Sequence, residues 1–257
     1  MKKLSFVLVF LLMIVGISQA EITNKVSSAN IMGYSKVAIP PSGQYTLVGC
    51  NFQGVIEQEM TLDELFGADQ LTQSPLPFLC DVVHFYNAAS QSYSSLSQKT
   101  DGNFYYTDNW GGDPETNLTI KAGQAFWLQS PASASETNIV VLSGDAISAP
   151  SNSVFLYSGF NMISPPFSSD LTPNDENFLT SGATGSPLPF ACDLIHAWTG
   201  SGFLTLGLKT DGEWYYTSDW AGSPADSEKI ALGVGGWYEA KSGFTWLSTN
   251  HYSNLFE

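Results

Sequence analysis

Phe203-Leu204-Thr205-Leu206-Gly207-Leu208, then Lys209-Thr210-Asp211-Gly212, then Glu213-Trp214-Tyr215-Tyr216-Thr217, is the stretch whose reading decides the fold. Leu204, Leu206 and Leu208 fall at period two, so one face of an extended segment is apolar, and Asp-Gly follows at once. Asp-Gly between strands favours a two-residue type I′ turn, because both central positions of that turn take positive φ. Trp214 to Thr217 is then the returning strand. The stretch is a β-hairpin plus the loop that leaves it.

The hairpin occurs twice. Lys99-Thr100-Asp101-Gly102-Asn103-Phe104-Tyr105-Tyr106-Thr107-Asp108-Asn109-Trp110-Gly111-Gly112 returns as Lys209-Thr210-Asp211-Gly212-Glu213-Trp214-Tyr215-Tyr216-Thr217-Ser218-Asp219-Trp220-Ala221-Gly222. Working outward, Ser74-Pro75-Leu76-Pro77-Phe78-Leu79-Cys80-Asp81-Val82-Val83-His84 matches Ser186-Pro187-Leu188-Pro189-Phe190-Ala191-Cys192-Asp193-Leu194-Ile195-His196, and Trp127 matches Trp237. Toward the N-terminal side Pro40 aligns with Pro150, Tyr45 with Phe155, Gly49 with Gly159, Cys50 with Phe160 and Asn51 with Asn161. Two copies of one module are expected, over 21–146 and 147–257, behind a leader at 1–20.

Each module is expected to be mainly β with one short helix. Further strands are expected at Ile31 to Ile39, Tyr45 to Val48, Val82 to Tyr86, Ala125 to Gln129 and Ile139 to Leu142. Thr61 with Glu64 forms a capping-box pattern and Gly67 a stop; the counterpart helix is expected from Thr172-Pro173, with proline at the first helical position. The prolines of Ser-Pro-Leu-Pro predict an extended loop after each helix. Short strands with Gly and Pro turns point to two tandem β-sandwich or barrel-like modules packed together.

Gly159-Phe160-Asn161-Met162-Ile163-Ser164 near a module's start and Gly123-Gln124-Ala125-Phe126-Trp127 near its end resemble the recurrent β module of secreted bacterial proteins that opens Gly-Trp-Asn-Leu-Ile and closes Gly-x-Gly-Tyr/Phe-Trp, of planctomycete and verrucomicrobial type. Phe160 stands where that module usually has Trp, and Gly49-Cys50-Asn51 departs further. The resemblance implies an exported β domain and carries over no catalytic residues.

Lys2 and Lys3, the apolar run from Leu4 to Ile17 and Ser18-Gln19-Ala20 have the form of a Sec-type signal peptide cleaved after Ala20. The apolar run is shorter than the roughly 20 residues a spanning helix needs. A secreted or cell-surface product that is not inserted in the membrane is expected. The formal charge is −15 and arginine is absent, so the chain lacks the clustered cations that nucleic acid or an anionic membrane demands. At 43% apolar with 16 Phe, 11 Tyr and 7 Trp, it can fill a core. Cys50, Cys80 and Cys192 allow one bridge at most; three free thiols are the first expectation and Cys50 to Cys80 the alternative.

Three constellations suggest chemistry. Cys80 with His84 and Cys192 with His196 sit four apart, so if they lie on strands each pair shares a face, and together they match a Cys₂His₂ zinc set or a nucleophilic dyad. Val82 and Leu194 share that face and argue for apolar core instead. Calcium is the second: Asp101, Asn103, Asp108, Asn109 and Asp113 supply hard oxygens, whereas the other copy keeps Asp211, Glu213 and Asp219 but has Ser218 and Ser223. Such residues are also ordinary turn formers.

Tyr105, Trp110, Tyr215 and Trp220, beside Asp101, Asn109, Asp211 and Asp219, are the third. Aromatic rings stack on the C–H face of a pyranose while carboxylates and amides take its hydroxyls, and a doubled weak site gains by avidity. Packing across the hairpin is the competing reading of those rings. Asp81 and Asp193 are the only acids in matched apolar strands, one per copy, and do not make an asymmetric acid and base for glycoside hydrolysis. No nucleophile elbow, His-Glu-x-x-His or phosphate loop is present. The expectation is a non-enzymatic structural, matrix or surface-assembly protein that associates with itself or with extracellular polysaccharide; a carbohydrate-binding protein is the alternative and a secreted hydrolase the third. No cofactor is expected beyond the calcium alternative.

Overall fold

The computed structural model describes residues 32–54, 59–67 and 69–251. The expected leader at 1–20 and the expected strand start at Ile31 lie outside them. In chain order the first half forms β1 (Met32–Ile39), β2 (Tyr45–Gly49), β3 (Phe52–Gln53), β4 (Glu59–Thr61), α1 (Leu62–Phe66), β5 (Val82–Asn87), β6 (Ser92–Gln98), β7 (Phe104–Tyr106), β8 (Thr119–Lys121), β9 (Ala125–Gln129) and β10 (Asn138–Ala146). The second half forms β11 (Ser151–Leu156), β12 (Gly159–Ile163), α2 (Phe178–Ser181), β13 (Leu194–Trp198), β14 (Phe203–Leu208), β15 (Trp214–Tyr216), β16 (Gly236–Ala240) and β17 (Phe244–Thr249).

The chain is mainly β and sandwich-like. Two five-stranded antiparallel sheets run β2-β9-β5-β6-β7 and β12-β16-β13-β14-β15, beside smaller sheets β1-β10-β3, β11-β17 and β4-β8. None closes into a barrel, so the barrel-like alternative gives way to open layers. The first core joins Val37 and Val140 to Val83, Leu96, Phe104 and Phe126; the second joins Val154 and Trp246 to Ile195, Leu206, Trp214 and Tyr238. Each core draws on one half of the chain only. Alternation along the strands does the sorting, because Val83 and Ile195 face inward while Val82, His84, Leu194 and His196 face the other side, half-buried. The expectation that Val82 and Leu194 line the core is thus corrected.

Several local expectations change. The hairpin closes over three residues: Lys99 N–H donates to Asn103 O and Gly102 N–H to Lys99 O, with Gly102 at φ 84° and Asp101 outside the positive-φ residues. That is a turn ending in a left-handed glycine, not type I′, and Gly212 at φ 94° repeats it. α1 has its capping box, with Glu64 N–H on Thr61 Oγ1 at 3.3 Å and Thr61 N–H on Glu64 Oε2 at 2.8 Å. Its expected counterpart is only a 3₁₀ turn over Pro173–Asp175, and α2 follows it. Asn174 is drawn off to the hairpin, where its Oδ1 accepts from Trp214 N–H at 2.6 Å. The loop expected to be extended turns at Pro77–Leu79, because Pro77 presets the φ of a 3₁₀ start and Cys80 N–H reaches Pro77 O.

The N-terminal alignment of the halves also moves. Tyr45 pairs with Gln129 and Leu47 with Trp127, while Phe160 pairs with Glu239 and Met162 with Trp237. Tyr45 therefore stands where Phe160 stands, and Phe155 leaves for β11, where it is 53% exposed. Cys50 is buried, but not as the partner of Phe160, which is 42% exposed.

Candidate binding site at the junction of the two sheets

The sequence-predicted groups are brought together in pairs, one per hairpin. Tyr105 OH donates to Asp101 Oδ2 at 2.8 Å and Tyr215 OH to Asp211 Oδ2 at 2.9 Å. Lys99 Nζ lies 3.4 Å from the Tyr105 ring centroid and 5.0 Å from that of Trp110; Lys209 lies 3.4 Å and 5.1 Å from Tyr215 and Trp220. A cation over the ring faces is itself favourable. Trp110 Nε1–H donates to Pro75 O at 2.8 Å and Trp220 Nε1–H to Pro187 O at 2.7 Å, tying each hairpin to its proline loop. Tyr105 and Tyr215 are buried and their faces carry lysines; Asp101, Asn109, Asp211 and Asp219 are exposed. Lys99, Asp101, Tyr105 and Trp110, and likewise Lys209, Asp211, Tyr215 and Trp220, form two intramolecular clasps, to which Asn109 and Asp219 add no side-chain bond among the described residues.

The Cys/His set does not assemble. Cys80 Sγ lies against Ser74 O, Leu76 O and Gln98 O, and Cys192 Sγ against Pro189 O, each within or beside its own loop. His84 and His196 project instead from the outer face of β5 and β13. Cys80 and Cys192 precede those strands, so the period-two argument does not reach them. Among the described residues no three His, Cys, Asp or Glu side chains converge as a metal site. All three thiols are free and buried, and burial pushes Cys50 up to about 12 and raises Cys80 and Cys192. A nucleophilic cysteine needs the opposite shift.

What the outer faces of the five-stranded sheets carry is aromatic. Tyr86, Trp127, Trp198 and Trp237 gather half-buried around Leu47, Ala125 and Met162, where the two halves meet. Backbone bridges Val48 to Val234 and Gln124 to Ile163 hold the contact, with Gly49 N–H on Gly233 O at 3.0 Å and Ser164 N–H on Gly123 O at 2.9 Å. A Cβ on Gly49 would fall 2.7 Å from Val234 O, so that backbone approach requires glycine.

Two hollows open on this aromatic face. One, of about 310 Å³, is lined by Tyr45, His84, Tyr93 and Trp127. The other, of about 440 Å³, is lined by Tyr86, Tyr93, Phe160, His196, Phe203, Trp237 and Glu239. Tyr93 lines both. Tyr45, Tyr93, Phe160 and Phe203 are 42–51% exposed, an unusual amount of ring left uncovered in one place. Gln91 of the first half fixes the wall of the second hollow: its Oε1 accepts from Phe160 N–H at 2.8 Å and its Nε2 donates to Phe160 O at 3.0 Å.

This chain matches no family model, no curated protein and no solved structure. Its site is therefore read from geometry. Both histidines are held below their ordinary pKa, chiefly by burial. His84 has partners on both nitrogens, Ser95 Oγ at 2.7 Å and Gln129 Oε1 at 3.0 Å. His196 has Thr205 Oγ1 at 2.9 Å on Nδ1, and its buried Nε2 has no hydrogen-bond partner among the described residues.

The duplicated hairpin aromatics stand out in the sequence and these do not. The usable signal was alternation: on β5 the positions flanking core Val83 carry Val82, His84 and then Tyr86, and β13 carries Leu194, His196 and Trp198 likewise. Bulky aromatics on the face opposite the core mark a contact surface, here the one on which the two halves meet.

Proposed function

We propose that the chain is an exported, non-enzymatic protein made of two copies of one β module, and that it binds extracellular polysaccharide across the aromatic face between its five-stranded sheets. The observation that carries this reading is the pair of adjoining hollows, each combining exposed rings with one imidazole and sharing Tyr93. Flat apolar faces with a few polar groups at the rim suit a pyranose, whose C–H face stacks while its hydroxyls find donors and acceptors. Adjacent subsites suit a polymer, because a second contact on the same chain is intramolecular. The charge of −15 disfavours polyanionic partners. The raised thiol pKa values speak against a cysteine nucleophile.

Polysaccharide pull-down or a glycan array tests this with Trp237→Ala and Trp127→Ala against Trp110→Ala and Trp220→Ala. Binding lost in the first pair and kept in the second is the expected result; binding to no glycan at all would sink the proposal.

A second reading, assembly with further copies, draws on a separate feature. The proline loops hold Leu76 and Phe78, and Leu188 and Phe190, at 44–74% exposure at matching places in both halves. Under this reading Phe78→Ser with Phe190→Ser shifts the sedimentation of a multimer toward monomer. A wild-type chain that sediments as monomer at all concentrations counts against it.

A further inference from the structure

Corresponding rings of the two hollows differ, Tyr45 for Phe160 and Tyr93 for Phe203, and one further corresponding pair differs in charge. Gln129 pairs with Tyr45 across the first sheet as Glu239 pairs with Phe160 across the second. In the first sheet the amide is fully committed: Gln129 Oε1 meets His84 Nε2 at 3.0 Å and its Nε2 donates to Gly43 O at 3.1 Å. Replacing the amide by a carboxylate undoes that arrangement. Glu239 Oε1 takes Lys241 Nζ at 2.6 Å, while Oε2 stands 3.9 Å from His196 Nε2, too far for a hydrogen bond. Oε2 accepts no hydrogen bond among the described residues, and it belongs to a side chain that lines the hollow.

The rings that line the same hollow crowd around Trp237. Trp237 has Phe160 at 6.0 Å, Tyr93 at 6.3 Å and Tyr86 at 4.9 Å between centroids, and Phe203 lines the same space. Ring faces carry negative quadrupole potential, and several of them beside one carboxylate form an environment that favours a cation. His196, desolvated and held below its ordinary pKa, takes up a proton later than a free imidazole as pH falls. Lys241 is paired to the other carboxylate oxygen and does not line the hollow.

We infer that the hollow at Trp237 is a subsite for a protonated amine, the ammonium of an amino-sugar residue, with Glu239 as its counter-charge and the faces of Tyr93, Phe160, Phe203 and Trp237 around it. The inference rests on the polysaccharide reading and narrows it. The first hollow, with Gln129 in the corresponding place, takes a neutral sugar. The ammonium donates to Glu239 Oε2 while the sugar ring lies on Trp237.

Titration calorimetry of the full chain at mildly acidic pH and low salt, with glucosamine oligomers and N-acetylglucosamine oligomers of equal length, is the test. The amine oligomer binds about tenfold tighter than the acetylated one, and salt erodes the difference. Glu239→Gln brings the amine oligomer down to the level of the acetylated one. Lys241→Gln, which frees the carboxylate without removing it, enlarges the preference and serves if Glu239→Gln fails to fold. Equal affinity for the two oligomers, a preference that survives Glu239→Gln, or binding of other polysaccharides but of neither oligomer overturns the inference and leaves the broader reading standing. Binding of no polysaccharide of any kind overturns both.

Discussion

Trp127 and Trp198 meet edge to face, ring centroids 5.5 Å apart and planes at 82°. Tyr86 and Trp237 repeat the contact at 4.9 Å and 82°. Since Trp127 matches Trp237 and Tyr86 matches Trp198 in sequence, each contact is the other with the halves exchanged. Tyr86 against Tyr93 at 5.1 Å and Trp198 against Phe203 at 4.9 Å extend the same relation. The halves therefore meet as the two sides of an isologous interface do, through one patch used twice.

That geometry makes the junction a source of stability as well as a site. Trp198→Ala and Trp127→Ala are each expected to cost about 2 kcal/mol, less than for a fully buried aromatic because both rings are half-exposed. Their double-mutant cycle should show coupling of about 1 kcal/mol beyond area burial. Urea denaturation of the four chains measures it. Strict additivity would mean that the rings share a neighbourhood and no interaction.

Acidification should destabilise the chain through its two junction histidines. Burial holds His84 and His196 below the ordinary value of 6.5, so the unfolded chain takes up protons first as pH falls. Their contribution is complete above 6.5 and is lost as pH falls from there through their folded values. Glu176 and Asp193 act in the opposite sense: burial raises both, so protonation on falling pH relieves a cost. The histidine part is isolated by comparing the fall of Tm below pH 6.5 in the wild type with that in His84→Gln with His196→Gln. A slope unchanged by the two substitutions would refute the assignment.

The sequence made the strands legible because their signals are local. Leu204, Leu206 and Leu208 alternate, and the expected bounds of β9 and β14 are those found. Helix α1 was equally legible, since Thr61 and Glu64 cap each other within one turn. The helix at Thr172 was not, because Asn174 is held by the distant Trp214 backbone, a tertiary bond that no local pattern contains. The same reason hid the site. Lys99 lies over Tyr105 only once the hairpin closes, and Tyr86 meets Trp237 only once the two halves pack. Chain distance sets Tyr45 against Phe155, whereas in the fold Tyr45 and Phe160 hold the same place beside their histidines, with ring contacts of 5.6 Å and 6.3 Å to His84 and His196.

Asp81 and Asp193, matched in sequence, are expected to differ in what they contribute. Asp193 is fully buried and accepts from Lys241 N–H at 2.7 Å on Oδ1, and from Tyr238 OH at 2.9 Å and Thr184 N–H at 3.1 Å on Oδ2. Asp81 accepts from Thr72 N–H at 2.7 Å and Asn138 Nδ2 at 2.8 Å, both on Oδ2, while its buried Oδ1 has no hydrogen-bond partner among the described residues. Asparagine at 193 must turn its amide donor against one of these donors whichever way it is placed, a clash expected to cost about 2 kcal/mol. At 81 the amide nitrogen can take the side that no donor opposes, so Asp81→Asn is expected to cost about 1 kcal/mol or less. Both carboxylates anchor the loop ahead of a central strand, to Thr72 and to Thr184, and only the second also holds the turn at Lys241. Denaturant midpoints of the two single variants decide the matter: equal losses would show that the bonds at Lys241 and Tyr238 add nothing to the anchor that the halves have in common.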